Sequence, residues 1–457
     1  DNDIIFGENG EGGILTQQYH AVVGNPPYIT VKDAEVSSSY RDYYSSCYRQ
    51  YALVCPFYER FFDLAIGDDS QQNEQMTLGG NKSEASQQAG YVGMIVANSF
   101  MKRQFGKKLI EELIPHTDLT HVIDTSGAYI PGHGTPTVIL VGRNREPQDD
   151  LLRTVLGIRG EPKTPAVPKD GKVWKSIVDH TDEIGFENDF VSVTDSDRTL
   201  FHQHPWSLQG GGALECKAHL DQNTPHGVPL DNLISDIGFG AVTREDDVYL
   251  VGDRVCLRHG IQEKRPLTAG ENLRNWNNEN PVMAIWPYDE DSLASKPSEV
   301  VKSFLWPFRT NLSDRVAYGK SQLERGLHWS EYSMFFDNRF RTPLTIAFAF
   351  VATHNHFVLD RGGKVFKQSA PVIKLAEDAT EQDHLSLMSA LNSSTACFYM
   401  KQIFHDKGNG GYGGGIAADT WERFFEYDCT KMKLVPIPDS RPTELAEQVD
   451  ALAQKLS

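Results

Sequence analysis

Two consecutive prolines, Pro26 and Pro27, interrupt the chain directly after an apolar run. Proline fixes its own φ and donates no backbone hydrogen bond. It also pushes the residue before it toward extended geometry. Tyr19 to Gly24 read as a buried strand, so Asn25-Pro26-Pro27-Tyr28 is expected to form a stiff turn at a strand's carboxyl end. In open α/β sheets, ligands bind at that end. The turn offers a neutral amide, an outward carbonyl and an aromatic ring. That set suits the holding of a planar, conjugated amino group. The Asn25 side-chain oxygen and the Pro26 carbonyl would accept its two hydrogens and localise the nitrogen lone pair, while Tyr28 stacks on the attached ring. Fixed dipoles aimed at developing charge are worth roughly 2.7–4 kcal/mol per group in the oxyanion-hole case. A bare Asn-Pro-Pro tripeptide is more often a plain turn; the apolar strand before it and the elements after it favour the site.

Those elements follow from periodicity. Leu53, Phe57, Phe61 and Leu64 recur at helical spacing, which predicts an amphipathic helix over 52–66. Arg41 to Gln50 are polar and tyrosine-rich and are expected to edge the site. Gly67 to Gly90 read as a mobile insertion. Tyr91 to Ala97 (YVGMIVA) read as a buried strand. Asn98-Ser99 suit the cap of a helix with Phe105, Leu109 and Leu113 on one face, where Gly106 costs about 1 kcal/mol. Leu119 to Asp124, Thr137 to Gly142, Arg153 to Ile158 and Phe190 to Val193 read as further strands, with a short helix over 173–178. Pro162 to Pro168 read as a linker, and His204-Pro205-Trp206 leading into Gly210-Gly211-Gly212 as a domain junction. From about Val228, short strands, turns and aromatics alternate.

The formal net charge of −18 argues against unspecific polyanion binding over the whole surface. It leaves room for a local basic groove. The best basic-aromatic stretch comprises Arg309, Arg315, Lys320, Arg325, Arg339 and Arg341, interleaved with Trp306, Tyr318, Trp329 and Phe340. Such groups suit phosphate positioning and groove contacts, although the acidic neighbours Asp314, Glu324, Glu331 and Asp337 fit a solvated face equally well. His354 and His356 have no evident Cys or acidic partner, so they are expected to be surface histidines and no metal site is expected. Lys407 to Gly415 lack the G-x-x-x-x-G-K-[ST] pattern and read as a loop. Cys47, Cys55, Cys216, Cys256, Cys397 and Cys429 form no C-x-x-C, as expected for reduced thiols of a cytoplasmic protein. No apolar run reaches the ~20 residues of a membrane span.

Asn25-Pro26-Pro27-Tyr28 matches in full the tetrapeptide [DNS]-P-P-[YFW], and here the chain resembles the amino-directed methyltransferases. With YHAVVGNPPYITVKD, ANSFMKRQFGKKL, PGHGTPTVIL and HPWSLQGGGA, and with Leu391-Asn392-Ser393-Ser394 and Leu434 to Pro438 toward the end, it looks most like PglX-type adenine-specific DNA methyltransferases of bacteriophage-exclusion systems. The resemblance implies an α/β fold. Residues 1–145 would be the later half of a Rossmann-like methyltransferase sheet, 146–225 a connecting region, 226–440 an α+β target-recognition domain and 441–457 a C-terminal helix. It implies S-adenosyl-L-methionine as cofactor, and as acceptor adenine N6 of a base flipped out of double-stranded DNA. It also implies phage-defence proteins as partners, with no membrane. Asn25, Pro26, Pro27 and Tyr28 fall on the catalytic positions. Tyr129, in a turn where some relatives place a stacking aromatic, is a second substrate-binding candidate. Ala52-Leu53-Val54 depart from the Asn or Asp-Leu-Tyr that related enzymes often carry. The family's Gly-rich cofactor loop lies upstream of the tetrapeptide, and only Gly10, Gly12 and Gly13 precede Asn25. The chain is therefore expected to begin midway through the catalytic domain and to bind the cofactor poorly alone. Three rivals remain: a methyltransferase acting on protein glutamine, a non-catalytic DNA-recognition or defence scaffold, and a fusion with an upstream nuclease.

Overall fold

The computed structural model describes residues 7–8, 11–68, 89–132, 134–223, 227–274, 276–278, 282–408 and 423–456. The chain divides into two compact units, Asp1–His219 with Lys407–Arg423 and Leu220–Asp406 with Phe424–Ser457.

The first unit is built on one mixed sheet. Its strands are β1 (Ala21–Gly24), β2 (Tyr91–Ala97), β3 (Asp118–Asp124), β4 (Thr137–Arg143), β5 (Leu151–Gly157) and β6 (Val191–Asp197), ordered β1-β2-β4-β3-β5-β6. β1 and β2 are parallel, β4 lies antiparallel between β2 and β3, β5 is parallel to β3, and β6 is antiparallel to β5. The carboxyl ends of β1, β2 and β3 therefore share one edge of the sheet. Two helices precede β2, α1 (Ala34–Tyr43) and α2 (Val54–Leu64). Val92, Met94 and Val96 alternate along β2 onto the face that α2 covers, and join Phe62, Val122 and Leu140 in one core. The opposite face, over β3, β5 and β6, packs Ile123, Val155 and Val193 against Val173 and Ile177 of α3 (Lys172–His180). Each such side chain contributes about 1.5–3 kcal/mol on burial. The buried Glu161 caps α3 by accepting from the Lys172 and Val173 amides at 3.0 and 2.9 Å.

Three expectations for this unit need correction. The strand before the prolines is an exposed edge: Val23 is 80% exposed. β1 has one sheet neighbour among the described residues, and no layer covers Val23. The helix over 52–66 forms, yet its deepest residues include Cys55, Tyr58 and Phe62, while Leu53, Phe57 and Phe61 are half-buried. The helix is gripped on several sides: the Tyr58 hydroxyl meets the Thr117 hydroxyl at 2.6 Å, and the Phe61 ring lies against Gly24. The expected helix after Asn98-Ser99 is broken into short turns at Asn98–Met101 and Gln104–Gly106, a π-helical turn at Leu109–Leu113 and a further turn at Ile114–His116. Gly106 explains the break. The chain folds back so closely that a Cβ there would lie 1.9 Å from the Phe100 carbonyl oxygen. The expected insertion over 67–90 and the glycine-rich stretch 407–415 lie largely outside the described residues. Trp206, beyond the linker, is buried against Phe100 and Phe201 in the first unit's core.

The second unit is α+β. Its main sheet has strands β7 (Asp236–Gly238), β8 (Thr345–Phe348), β9 (Phe357–Asp360) and β10 (Val372–Lys374) in the antiparallel order β7-β10-β8-β9. Every residue of β8, β9 and β10 is buried. The buried Lys374 ammonium is satisfied by the Thr342 and Leu344 carbonyls at 2.7 and 2.8 Å and by the Thr345 hydroxyl at 2.7 Å. Helix α4 (Glu381–Leu391), opened by a reciprocal Thr380–Asp383 cap, and α5 (Thr443–Leu456) contribute to the same core. A second core gathers Trp286, Tyr288, Tyr332 and Trp329. Among the described residues no helix is long and apolar enough to cross a membrane.

Candidate functional site

The proline turn stands where β1 leaves the sheet. Asn25 and Pro27 are exposed, Pro26 is buried and Tyr28 is half-buried. The turn is tight: the Ile29 amide donates to the Pro27 carbonyl at 2.9 Å. It is then pinned to the loop before α2, where the Leu53 amide donates to the Ile29 carbonyl at 3.0 Å and Thr30 bridges Ala52. Beneath it, a Cβ on Gly24 would fall 2.6 Å from the tip of the Phe61 ring. Glycine is required here by close approach, since the ring occupies the space a side chain would take. Asp33 then starts α1 by accepting from the Glu35 and Val36 amides at 2.9 and 3.0 Å. Burial raises the Tyr28 phenol above its usual pKa, with the Asn25 side chain acting the other way. The phenol is therefore neutral at physiological pH.

The neighbouring strands bring two more pieces to the same edge. β2 ends at Ala97, and the Asn98 amide donates to the Pro136 carbonyl at 2.9 Å. The turn between β3 and β4 is tied by the Thr125 and Thr137 hydroxyls at 2.7 Å and holds Tyr129 half-buried. Asp124, at the end of β3, accepts from the Ser126 amide at 2.8 Å. Burial raises its pKa against the opposing pull of Ser126, Arg423 and Lys102. The sheet thus places Asn25 to Tyr28 and the Tyr129 turn at one edge, with β2 between them. His133, in that turn, lies outside the described residues.

The basic stretch of the second unit divides. Arg315 is buried and donates to the carbonyls of Leu312, Thr243, Trp329 and Glu331 at 2.9, 2.5, 3.1 and 2.7 Å. Arg325 donates to the Ser333 carbonyl at 2.6 Å and to Gln322 at 2.7 Å, and Arg339 pairs with Asp236 at 2.8 Å and with the Phe239 carbonyl at 2.6 Å. These three guanidiniums, five donors in a rigid fork, hold loops together; the buried Arg315 is corrected from a DNA contact to framework, while Arg325 and Arg339 are half-buried. Arg309, stacked over Trp306 at 4.9 Å, Lys320 and Arg341, paired with Asp337, are exposed. His356 also departs from expectation: it is buried, its ring 4.4 Å from that of His354. Among the described residues no cluster of His, Cys, Asp and Glu is arranged to hold a metal. All six cysteines are free thiols.

Sequence reasoning missed one feature of the first unit. Lys108 comes to the Tyr48 ring, as Arg49 does, across an interval of 59 residues that the sequence does not connect. The only signal was the polar, tyrosine-rich run around Arg41 to Gln50.

Comparison with known proteins bears out the resemblance stated above. Residues 5–68, which hold the proline turn, match the family described as Eco57I restriction-modification methylase. The chain is 40% identical over 453 residues, 96% of its length, to the adenine-specific methyltransferase PglX of Streptomyces coelicolor. It is 25% identical over 299 residues to the type II methyltransferase M.XhoI of Xanthomonas vasicola, covering 62% of this chain and 47% of that protein. The chain spans 36% of the PglX relative's length. A similar fold occurs in the type IIL restriction-modification enzyme MmeI in complex with DNA, with a TM-score of 0.53 at 12% identity, covering 95% of this chain and 48% of that one.

Proposed function

We propose that this chain carries the acceptor-binding half of an adenine-specific DNA methyltransferase and its target-recognition domain. The observation that carries the reading is the exposed Asn25 amide on a rigid double-proline turn at the carboxyl edge of β1. The order β1-β2-β4-β3, with one antiparallel strand among three parallel ones, supports the later half of a Rossmann-like methyltransferase sheet. The similarity to PglX supports adenine N6 as acceptor, and the DNA-bound relative of similar fold supports duplex DNA as substrate.

In this reading the base leaves the duplex, at a cost of a few kcal/mol, because its amino group is unreachable in the stack. The Asn25 oxygen and the Pro26 carbonyl accept the two amino hydrogens. The nitrogen lone pair is thereby drawn out of the ring, and Tyr28 stacks on the base. The buried Pro26 and the Ile29–Pro27 hydrogen bond keep both acceptors fixed, so little reorganisation is needed as charge develops. S-adenosyl-L-methionine would supply the methyl group. The described residues before Asn25 form a small ribbon, Gly7–Glu8 with Glu11–Gly12, and a 3-10 turn. They offer no strand-loop-helix cradle for that cofactor, so no residue of this chain is assigned to it. Asn25→Ala is expected to lower methyl incorporation into DNA by about 100-fold or more while leaving duplex affinity within about twofold. Methylation at the wild-type rate in that variant would remove the assigned role. A role in phage defence is part of the same proposal; sequencing of modified bases in host DNA with and without the gene tests it.

A further inference from the structure

Two cations share one ring and a third is bound to the same loop, which is hydrogen-bonded to the chain just after the proline turn. The Arg49 guanidinium lies 5.2 Å from the Tyr48 ring centroid, and the Lys108 ammonium lies 5.8 Å from the same centroid. Arg41 donates to the Arg49 carbonyl at 2.5 Å and sits 5.4 Å over the Tyr51 ring. Arg41 and Arg49 are exposed and Lys108 is half-buried. Among the described residues, none of the three has a carboxylate within ion-pair distance, whereas Lys107 next in sequence pairs with Glu111 at 3.6 Å. Arg49 is also held in the left-handed region, with φ of 56°. A long L side chain rarely adopts that backbone, and such strain concentrates at functional positions.

The cluster's place follows from the backbone. The Ile29–Leu53 hydrogen bond and the Thr30–Ala52 bridge lay the segment after Tyr48 alongside the residues that follow Tyr28. Lys108 lies in the broken segment that leaves β2, the sheet neighbour of β1. The segment that carries Arg41 and Arg49 is thereby tied to the chain just after the proline turn. Two arginine forks and a lysine drawn from separate loops fit an extended anion with several oxygens, and arginine binds phosphate bidentately.

We propose that Arg49 and Lys108, which share the Tyr48 ring, together with Arg41, bound to the Arg49 carbonyl, seat backbone phosphates of the DNA strand that carries the reacting base. This rests on the DNA reading above and adds to it the residues that hold the strand. They are positioning residues: they grip the backbone and leave the base to Asn25 and Tyr28.

The test is duplex binding by fluorescence anisotropy across a salt series, with methyl incorporation measured in parallel. The triple variant Arg41→Gln, Arg49→Gln, Lys108→Gln is compared with wild type. The slope of log K against log salt is expected to become shallower by about 0.9 for each phosphate no longer neutralised, between two and three such steps in all. KM for DNA rises about tenfold or more, while kcat at saturating DNA stays within about twofold, because the three cations act before the chemical step. Lysine at Arg41 and Arg49 restores most of the slope. Lys108→Gln alone, with a shift of about 0.9, decides the matter if the triple variant fails to fold. An unchanged slope in folded variants of a protein that methylates DNA overturns the phosphate seat and leaves the methyltransferase reading standing. A shallower slope in a protein that transfers no methyl group to DNA does the reverse. A wild-type protein that binds no duplex overturns the seat.

Discussion

Replacing Gly24 with alanine tests whether the rigidity of the proline turn comes from below. The added Cβ would sit 2.6 and 2.9 Å from two atoms of the Phe61 ring. Carbon atoms rest at about 3.5–4.0 Å, so either the ring or the turn must move by roughly 1 Å. Phe61 belongs to α2 and stands edge-on to Phe57 at 5.8 Å, which restricts the ring's retreat. Overpacking of this kind costs about 1–3 kcal/mol. A displacement of about 1 Å at a reacting group costs on the order of 10²-fold in rate. Gly24→Ala is therefore expected to lower the unfolding free energy of the first unit by about 1–3 kcal/mol and to depress kcat far more than DNA affinity. Trimming the ring should undo this: in Gly24→Ala/Phe61→Leu, the two changes are expected to couple favourably by about 1 kcal/mol or more. The assay is a double-mutant cycle read twice, by denaturant unfolding and by methyl incorporation. Additive effects, or an alanine variant with wild-type turnover, would show that the ring yields freely and that the turn owes its stiffness to the prolines alone.

Two further outcomes bear on the second unit. Arg315→Met removes the guanidinium donor from the carbonyls of Leu312, Thr243 and Trp329, all in the interior, and is expected to destabilise that unit by about 3 kcal/mol or more; a denaturation midpoint close to wild type would contradict its framework role. His356 is held neutral, its pKa lowered to about 4 by burial, with His354 and Arg274 adding to the effect. The unfolded chain takes up a proton near pH 6.5 that the fold refuses until about 4. Stability therefore falls as pH drops through that window and recovers above it. His356→Gln is expected to flatten this dependence in thermal unfolding between pH 7 and 4.5, and an unchanged acid limb would refute it.

Much of the first unit was readable in advance because its strands are dense in Val, Ile and Leu and are bounded by turn residues. YVGMIVA and TVILVG could hardly be anything else. The tetrapeptide was legible because double proline after a strand has few conformations open to it. What escaped was set by contacts between distant segments. Gly106 reads as a mild helix weakness, yet it marks a backbone crossing against Phe100. Val23 looks like core as readily as Val22, yet only Val22 packs against it, because exposure depends on what covers each face of the strand. Arg315 and Arg309 are equivalent as letters, and only the packing of Thr243 and Trp329 around the first separates a framework cation from a surface one. His356 reads as a surface residue because alternation gives a face and not its depth.

The hydrogen-bonded rung from Leu53 to Ile29 makes the proline turn, proposed to grip the amino group, and the tyrosine-arginine loop two rails of one ladder. A strand seated one nucleotide out of register would load the second rail in the wrong place and tug the first away from its base. Fidelity would then be checked at the moment of docking, mechanically, before any bond is made.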